Sequence, residues 1–193
     1  HTIPYTDFHN ERHNLMTNLF YERLPINHAT ALCYFSKGNI TQTIIHNIKF
    51  HKHKELAYIM GEILGQKLSN SDYYRNIDFI IPIPLHYKRE NKRGYNQSEM
   101  FAIGISKTMN VPVANNVLFR NIHNKPQSST SYASRITNVE DIFYVSQNVD
   151  LTNKKILLVD DVVTTGSTIV SAGNVVLKQY NVELLVGVIA IAI

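Results

Sequence analysis

Residues 156 to 168 read ILLVDDVVTTGST and give the clearest indication of the fold. The first four residues are apolar without interruption, which is typical of a strand buried on both faces of a parallel sheet. Asp160 and Asp161 follow where this strand ends, and hydroxyl-bearing residues surround Gly166 where a helix is expected to begin. This order predicts a ligand site beyond the carboxyl end of a parallel sheet.

The two acids and the glycine turn suit two parts of one ligand. Side chains of adjacent extended residues diverge, so Asp160 and Asp161 can hold two neighbouring hydroxyls, or a hydroxyl and a hydrated magnesium ion. Glycine lets an anion approach the backbone, and the first amides of a helix point at it. A diol beside a monophosphate describes a ribose 5-phosphate. The predicted phosphate-binding residues are Val163, Thr164, Thr165, Gly166, Ser167 and Thr168.

Gly166 is the residue of this turn where a side chain should do most harm. We expect a branched Cβ there to block the phosphate while leaving the fold intact. A surface turn with capping residues is the competing interpretation for any one piece of the motif. The unbroken order of apolar strand, paired acids and hydroxyl-rich turn favours the ligand site.

Strands and helices alternate outward from this stretch. That alternation predicts an α/β fold with a mainly parallel twisted sheet and helices on both faces. We assign residues 1–40 to an N-terminal lead-in with a short strand, and residues 41–193 to the ligand-binding domain. The predicted strands are 29–35, 79–83, 111–119, 156–159 and 182–193, and the predicted helices lie in 41–64, at 97–109 after Asn96, and from about Ser167.

Composition narrows the class of protein. The chain has 193 residues, 44% of them apolar, which is enough for one domain with a core of its own. Cys33 is the single cysteine, so the chain has no internal disulfide and no cysteine-based zinc site, and we expect a buried thiol and a cytoplasmic protein. The apolar stretch 182–193 is too short to cross a bilayer, and the net charge of +4 fits phosphate or nucleic acid equally.

Two polar segments are candidates for further ligand contacts. The segment after Pro84 carries Lys88, Arg89, Lys92 and Arg93, which could neutralise a pyrophosphate or could form a solvated basic loop. Residues 120–138 have few apolar anchors, which fits either a lid over the site or a plain loop. The polar residues of that lid are Arg120, Lys125, Gln127, Ser128, Ser129, Tyr132 and Arg135.

The histidines do not predict a metal site. His9 and His13 have helical spacing, and His46, His51 and His53 lie among lysines. Because no carboxylates accompany them at ligand spacing, we expect these side chains to be exposed or loosely packed.

Residues 156–168 resemble the phosphoribosyl-pyrophosphate motif of type I phosphoribosyltransferases. The resemblance implies that fold with its flexible hood loop, ribose hydroxyls held by Asp160 and Asp161, and a 5-phosphate held by 164–168. A narrower resemblance, to the competence-associated ComF family, covers most of the chain. It rests on IIPIPLHYKRENKRGYNQSE at 80–99, KPQSSTSYASRITNVEDIF at 125–143 and IIHNIKF at 44–50.

The ComF resemblance implies a function and leaves rivals open. It implies binding of 5-phosphoribosyl-1-pyrophosphate (PRPP) with Mg²⁺ and transfer of the phosphoribosyl group to an unidentified nitrogen acceptor. Asp160, Asp161, Lys88 and Arg89 would be catalytic, and Lys49 would be a further pyrophosphate contact. The rivals are a DNA-uptake factor that binds single-stranded DNA without transfer, and a regulator that binds the metabolite. Family members often carry a four-cysteine zinc ribbon upstream, which this sequence does not show, and a homodimer is left open.

Overall fold

The computed structural model describes residues 2–120, 142–146 and 149–193. Helices and strands alternate through most of this chain. The strands are β1 (His28–Phe35), β2 (Phe79–Pro82), β3 (Leu118–Arg120), β4 (Phe143–Val145), β5 (Lys155–Val163) and β6 (Glu183–Ala192). The helices are α1 (Leu15–Phe20), α2 (Ile40–Phe50), α3 (Lys54–Ser69), α4 (Tyr87–Arg93), α5 (Gln97–Met109) and α6 (Ser167–Gln179), with 3-10 turns at Phe8–Asn10 and Asp72–Tyr74.

Four of the strands form a parallel sheet. Their order is β1-β6-β5-β2, and every pairing between neighbours is parallel. β5 lies inside the sheet with β6 on one side and β2 on the other, so the stretch with the acidic pair runs through its middle. The predicted mainly parallel α/β architecture is confirmed.

Successive residues of β5 serve two separate cores. Ile156 and Leu158 pack with α1, α6 and the antiparallel pair β3–β4, whereas Leu157 and Val159 pack with α2, α3 and α5. All four side chains are fully buried. A strand in the middle of such a sheet must be apolar on both faces, which is why its sequence reads as a continuous run rather than an alternation. The prediction of helices on both faces is confirmed.

Helices α3 and α5 cross each other at very close range. α3 and α5 meet through Gly61 and Gly104, and a Cβ on Gly104 would lie 2.0 Å from the Tyr58 carbonyl oxygen. Only glycine permits this approach. Asn96 caps α5 as predicted, accepting the Ser98 amide at 3.1 Å. The crossing therefore brings the start of α5 against the end of β5.

Apart from the basic segment after Pro84, two of the sequence predictions for secondary structure were wrong. The N-terminal lead-in, predicted with only a short strand, also contains α1, which Asn14 caps by accepting the amides of Met16 and Thr17. The predicted strand 111–119 does not form as one strand. Val113 makes a single bridge to Ile80, and β3 begins only at Leu118 and pairs antiparallel with β4. A short β-like sequence does not reveal which sheet it will join.

The single cysteine is a core residue. Cys33 is fully buried in β1 and its thiol donates to the Ile189 carbonyl oxygen at 3.1 Å. Burial raises the pKa of Cys33 to about 12, so the thiol stays protonated and is a poor nucleophile at neutral pH. The predicted buried thiol is confirmed. Across the described ranges, no helix combines the length and hydropathy required to cross a membrane.

His28 gives the fold a pH dependence that can be measured. It is buried at the start of β1, with Nδ1 2.9 Å from the Tyr74 hydroxyl and Nε2 2.8 Å from the Glu11 carbonyl oxygen. Burial lowers its pKa, although the Glu11 carbonyl acts in the opposite direction. The folded state therefore keeps this histidine neutral, while the unfolded chain takes up a proton below about pH 6.5. Its contribution to stability is lost as the pH falls through that value.

Melting curves of the protein and of His28→Gln test this directly. We expect the gap between their melting temperatures to be largest at about pH 8 and to shrink toward pH 5, because only the wild type loses the neutral histidine's contribution on acidification. His53→Gln, at an exposed position, should track the wild type. A gap between wild type and His28→Gln that stays constant with pH would contradict the assignment.

Candidate functional site

Asp160 and Asp161 lie at the carboxyl end of β5, where the sequence places them. One oxygen of Asp160, Oδ1, accepts the Ser98 hydroxyl and the Asp161 amide, both at 2.8 Å. Burial, and next the neighbouring charge of Asp161, raise the pKa of Asp160 to about 7. Two carboxylates at this spot are therefore unfavourable in the protein alone, and a cation or a hydroxyl donor would relieve them.

Lys49 is the cation that reaches this pair. Its ammonium nitrogen lies 3.0 Å from Asp161 Oδ2, and Asp161 Oδ1 accepts the Val162 amide. Both side chains are largely buried, at 23% and 13% exposed, so the ion pair is shielded from solvent. Lys49 stands in the last turn of α2 and joins that helix end to the acidic pair.

The glycine turn follows directly and opens α6. Gly166 has a left-handed φ of 72° and is the residue before the first helical position. No side chain from the described residues caps this end of α6, so the first-turn amides remain available to an anion. Thr164, Thr165, Ser167 and Thr168 are exposed around the turn, whereas Val163 is buried and can offer only its backbone.

The structure changes the expectation for a side chain at Gly166. A Cβ there would lie 2.8 Å from Phe20 Cε1 and 3.3 Å from Leu19 Cδ2, both on α1. It would thus point into the core rather than into the open side of the turn. This crowding argues against the expectation that a substitution leaves the fold largely intact, because the side chains of α1 would have to give way. Arg23, just beyond α1, donates to the Thr165 carbonyl oxygen at 2.6 Å, so α1 and the turn are joined on two sides.

The predicted basic loop after Pro84 is a short helix. α4 begins after His86, whose Nδ1 accepts the Lys88 amide at 3.2 Å, and ends at Gly94 with a left-handed φ of 83°. Its sequence, YKRENKR, has no apolar periodicity, so hydrophobic patterning could not find it. The glycine at the C-terminal end was the available signal.

Three of the four cations on α4 lie on one face and line a cleft. Arg89, Lys92 and Arg93 are spaced as neighbours on a helix surface, and the cleft that they border has a volume of about 230 Å³. Lys88 does not line it and lies over the Tyr87 ring at 5.9 Å. The other lining residues come from the end of α2 and the turn after it, namely Lys49, Phe50 and Lys52.

Lys49 belongs to both parts of the site. It borders the cleft and contacts Asp161, so the cationic cleft opens directly beside the acidic pair. Sequence reasoning nominated Lys49 only by resemblance, because a contact between residues 49 and 161 has no local signature. Lys49 thus links the cationic cleft to the acidic pair, and the glycine turn follows the acidic pair directly along the chain.

Residues 47–193 match the phosphoribosyl transferase domain family. The chain belongs to this family. The fold class predicted from residues 156–168 and the observed sheet agree with that membership.

Several relatives carry names from DNA uptake. Competence protein F of Haemophilus influenzae is 38% identical over 92 residues, which cover 47% of this chain and 40% of that protein. DNA utilization protein YhgH of Escherichia coli O157:H7 is 27% identical over 139 residues, covering 70% and 60%. Competence protein ComFC of Bacillus subtilis is 27% identical over 100 residues, covering 52% and 38%. These relatives confirm the resemblance to the ComF family.

The relatives are longer than the parts they share with this chain. The chain spans 38% to 60% of the lengths of these three proteins, so it corresponds to only part of each of them.

Among solved structures, adenine phosphoribosyltransferase from Leishmania tarentolae gives a TM-score of 0.45 with 11% identity, over 76% of this chain and 74% of that chain.

In this phosphoribosyltransferase-family chain, sequence reasoning missed Ser98 and Lys52 as site residues and Arg120 as a neighbour of the acidic pair. Arg120 ends β3 and packs over the Phe143 ring at 5.3 Å. Burial, and next the charge of Arg89, lower the pKa of Arg120, while the charge of Asp160 acts in the opposite direction. The rest of the predicted lid lies outside the described residues, namely Lys125, Gln127, Ser128, Ser129, Tyr132 and Arg135.

The site's own ligands suit a metal that arrives with a bound molecule. Among the described residues, no three His, Cys, Asp or Glu side chains cluster as a metal site. Asp160 and Asp161 nevertheless provide hard oxygen ligands, and Mg²⁺ in proteins commonly binds one or two carboxylates together with substrate oxygens and waters. The residues present therefore fit Mg²⁺ held jointly with a ligand.

Proposed function

We propose that this chain binds PRPP with Mg²⁺ and transfers its phosphoribosyl group to a nitrogen acceptor. The 5-phosphate would lie at the turn of Thr164–Thr168, the ribose hydroxyls at Asp160 and Asp161, and the pyrophosphate in the cationic cleft. The membership in the phosphoribosyl transferase domain family supports this class of ligand.

The observation that carries the proposal is the contact of Lys49 with Asp161 at 3.0 Å. Because the same lysine borders the cleft, the groups suited to the sugar and the groups suited to the pyrophosphate adjoin. PRPP carries its pyrophosphate on the carbon next to the ribose diol, so its charges and hydroxyls follow the same order. An acidic pair and a cationic cleft on opposite sides of the domain would not match it.

The proposed reaction needs little from the protein beyond position and charge. A lone pair on the acceptor nitrogen attacks the anomeric carbon, the bond from that carbon to the pyrophosphate oxygen breaks, and pyrophosphate leaves with the electron pair. Charge then accumulates on the leaving group, where Arg89, Lys92 and Arg93 would stabilise it. Asp160 and Asp161 would hold the sugar so that the reacting carbon faces the acceptor.

Bound with PRPP, Mg²⁺ would neutralise part of the ligand's negative charge. Residues Asp160 and Asp161 are the groups that would hold it. Without PRPP the two acids alone are a poor site, so we expect Mg²⁺ by itself to bind weakly.

Calorimetric titration of PRPP with and without Mg²⁺ tests the binding, and pyrophosphate release across a panel of nucleobases tests the transfer. We expect saturable binding that Mg²⁺ strengthens. Absence of PRPP binding under both conditions would overturn the proposal. Binding without pyrophosphate release from any acceptor would leave a metabolite-binding regulator in place of an enzyme.

Arg89→Gln combined with Lys92→Gln should weaken pyrophosphate and PRPP binding by about 10- to 30-fold, since each removes a charge-assisted contact. Ribose 5-phosphate lacks the pyrophosphate, so the affinity for it should change by less than about 2-fold. The comparison isolates the cleft from the general electrostatic field. Titration of all three ligands on one preparation measures it.

Lys88→Gln is the matched control, because Lys88 shares α4 but does not line the cleft. It should leave the affinities for all three ligands nearly unchanged. Equal losses for ribose 5-phosphate and pyrophosphate in the double variant would mean that the helix contributes only long-range attraction.

A second candidate function is handling of single-stranded DNA without phosphoribosyl transfer. It is favoured by relatives named for competence and DNA utilization, and by a cationic cleft that includes an exposed aromatic ring. Binding of an oligonucleotide with a steep salt dependence, together with absent pyrophosphate release, would favour it over the enzyme.

A further inference from the structure

Phe50 is the feature of the cleft that pyrophosphate binding does not explain. It ends α2, is 60% exposed, and lines a cleft whose other lining residues are all cations. Pyrophosphate offers no apolar surface to a phenyl ring. An exposed apolar residue alone is ordinary, but one that lies among cations in a cleft suggests a ligand with both charged groups and a flat apolar part.

The ring is also held in position. Its centroid lies 4.9 Å from that of His46 at a tilt of 44°, and 5.8 Å from the Arg93 guanidinium carbon. Arg93 is fixed in turn by donating to Gln97 Oε1 at 2.7 Å. A positioned ring loses less conformational entropy on binding than a mobile one.

Several cations of the cleft have no acidic partner among the described residues. Lys49 is paired with Asp161, whereas Lys52, Arg89 and Lys92 form no ion pair within the described part of the chain. Together with Arg93, these cations suit a ligand with several negative charges.

We propose that the cleft binds a nucleoside polyphosphate, with the base stacked on Phe50 and the phosphates held by the cations of α4 and Lys52. Such a ligand would compete with PRPP, because it occupies the side chains that we propose for the pyrophosphate. The nucleotide site stands on Phe50 and the cleft, and does not require that PRPP itself binds.

A single nucleotide fits these observations better than a strand. The cleft has a volume of about 230 Å³, and Phe50 is the one aromatic residue among those lining it within the described part of the chain. Strand-binding surfaces usually combine a longer cationic track with a succession of stacking rings. One ring beside a compact group of cations can stack one base next to its phosphates, whereas a strand would need further rings.

Titrations with ATP, GTP, inorganic tripolyphosphate and adenosine separate the contributions of base and phosphates. We expect at least one of the two nucleotides to bind about 10-fold more tightly than tripolyphosphate, because stacking of a base on an aromatic ring contributes in that range. Phe50→Ala should remove the 10-fold preference for the nucleotide and change the affinity for tripolyphosphate by less than about 2-fold. Phe50→Tyr should preserve the preference. Lys92→Gln should weaken nucleotide and tripolyphosphate alike.

Tyr5→Ala, which removes an exposed ring far along the chain from the cleft, is the control and should change neither affinity. The proposal is overturned if tripolyphosphate binds as tightly as both nucleotides, or if Phe50→Ala leaves nucleotide affinity intact. It is also overturned if oligothymidylate affinity rises with length and depends on Phe50 more than nucleotide affinity does.

A titration with PRPP on the same preparations keeps the two proposals distinguishable. Nucleotide binding that needs Phe50, with no PRPP binding, would support the nucleotide site and remove the proposed transferase function. PRPP binding with equal affinities for nucleotide and tripolyphosphate would do the reverse.

Discussion

Replacing Asp160 and Asp161 together by asparagine is expected to lower PRPP affinity about 100-fold, or about 2.7 kcal/mol. An amide oxygen can still accept a hydroxyl hydrogen bond, but it has no charge to hold Mg²⁺ or to strengthen that bond. The asparagine that replaces Asp160 can keep the acceptor that the Ser98 hydroxyl and the residue 161 amide now use, so the local backbone has reason to stay in place.

The direction of this effect excludes a trivial explanation. The double substitution raises the formal net charge by two units from +4, and a general field would then attract a polyanion more strongly. A loss of affinity must therefore come from lost contacts at the end of β5. Asp72→Asn with Glu183→Gln makes the same charge change at two exposed acids, and should bind PRPP as tightly as the wild type or slightly more tightly.

Thermal unfolding of the same preparations decides between a ligand site and a structural role. Burial and the neighbouring Asp161 charge raise the pKa of Asp160, which means that two charges there destabilise the empty protein. We expect the melting temperature of the double variant to hold or to rise, with Lys49 losing its partner as the opposing effect. A destabilised variant with undiminished affinity would show that the carboxylates are structural.

The parts of the fold that sequence reasoning recovered have local signatures. β5 reads as a continuous apolar run because its two faces meet two cores. α5 begins after Asn96 and α6 after Gly166, where a capping residue or a glycine precedes a helical pattern. Apolar spacing also predicted the helices within residues 41–64, where the structure ends α2 at Phe50 and begins α3 at Lys54.

The parts that it missed depend on tertiary contacts or lack apolar periodicity. α4 is a seven-residue polar helix, and α1 is a six-residue helix that an asparagine capping box begins. Helices this short depend on their caps and their surroundings rather than on intrinsic propensity. The Lys49–Asp161 ion pair joins residues far apart in sequence, and the local sequence around either residue does not predict the contact. The acidic pair could thus be predicted from sequence, whereas the cleft beside it could not.

Gly166→Val is expected to lower the free energy of unfolding by on the order of 4 kcal/mol and to abolish measurable PRPP binding. A left-handed backbone costs a side chain about 1–2 kcal/mol, and a β-branched residue more. The Cβ would also lie 2.8 Å from Phe20 Cε1, and Phe20 is fully buried, so overpacking adds about 1–3 kcal/mol. Movement of α1 would then displace the turn that we propose for the 5-phosphate.

Gly38→Val separates these two causes. Gly38 also has a left-handed φ, of 86°, but a Cβ there meets nothing within 4 Å among the described residues. It should lose only the backbone contribution, about 1–2 kcal/mol plus the same extra cost of a β-branched side chain, and keep its PRPP affinity. Denaturant unfolding of both variants gives the difference in stability that belongs to the contact with α1.

A double-mutant cycle of Gly166→Ala with Phe20→Leu tests the same contact. The stability lost in the double variant should be smaller than the sum of the losses in the two single variants, because the smaller side chain at position 20 makes room. If Gly166→Val were as stable as Gly38→Val yet failed to bind PRPP, the side chain would have to obstruct the ligand directly, and the contact with α1 would not be the reason that glycine is required.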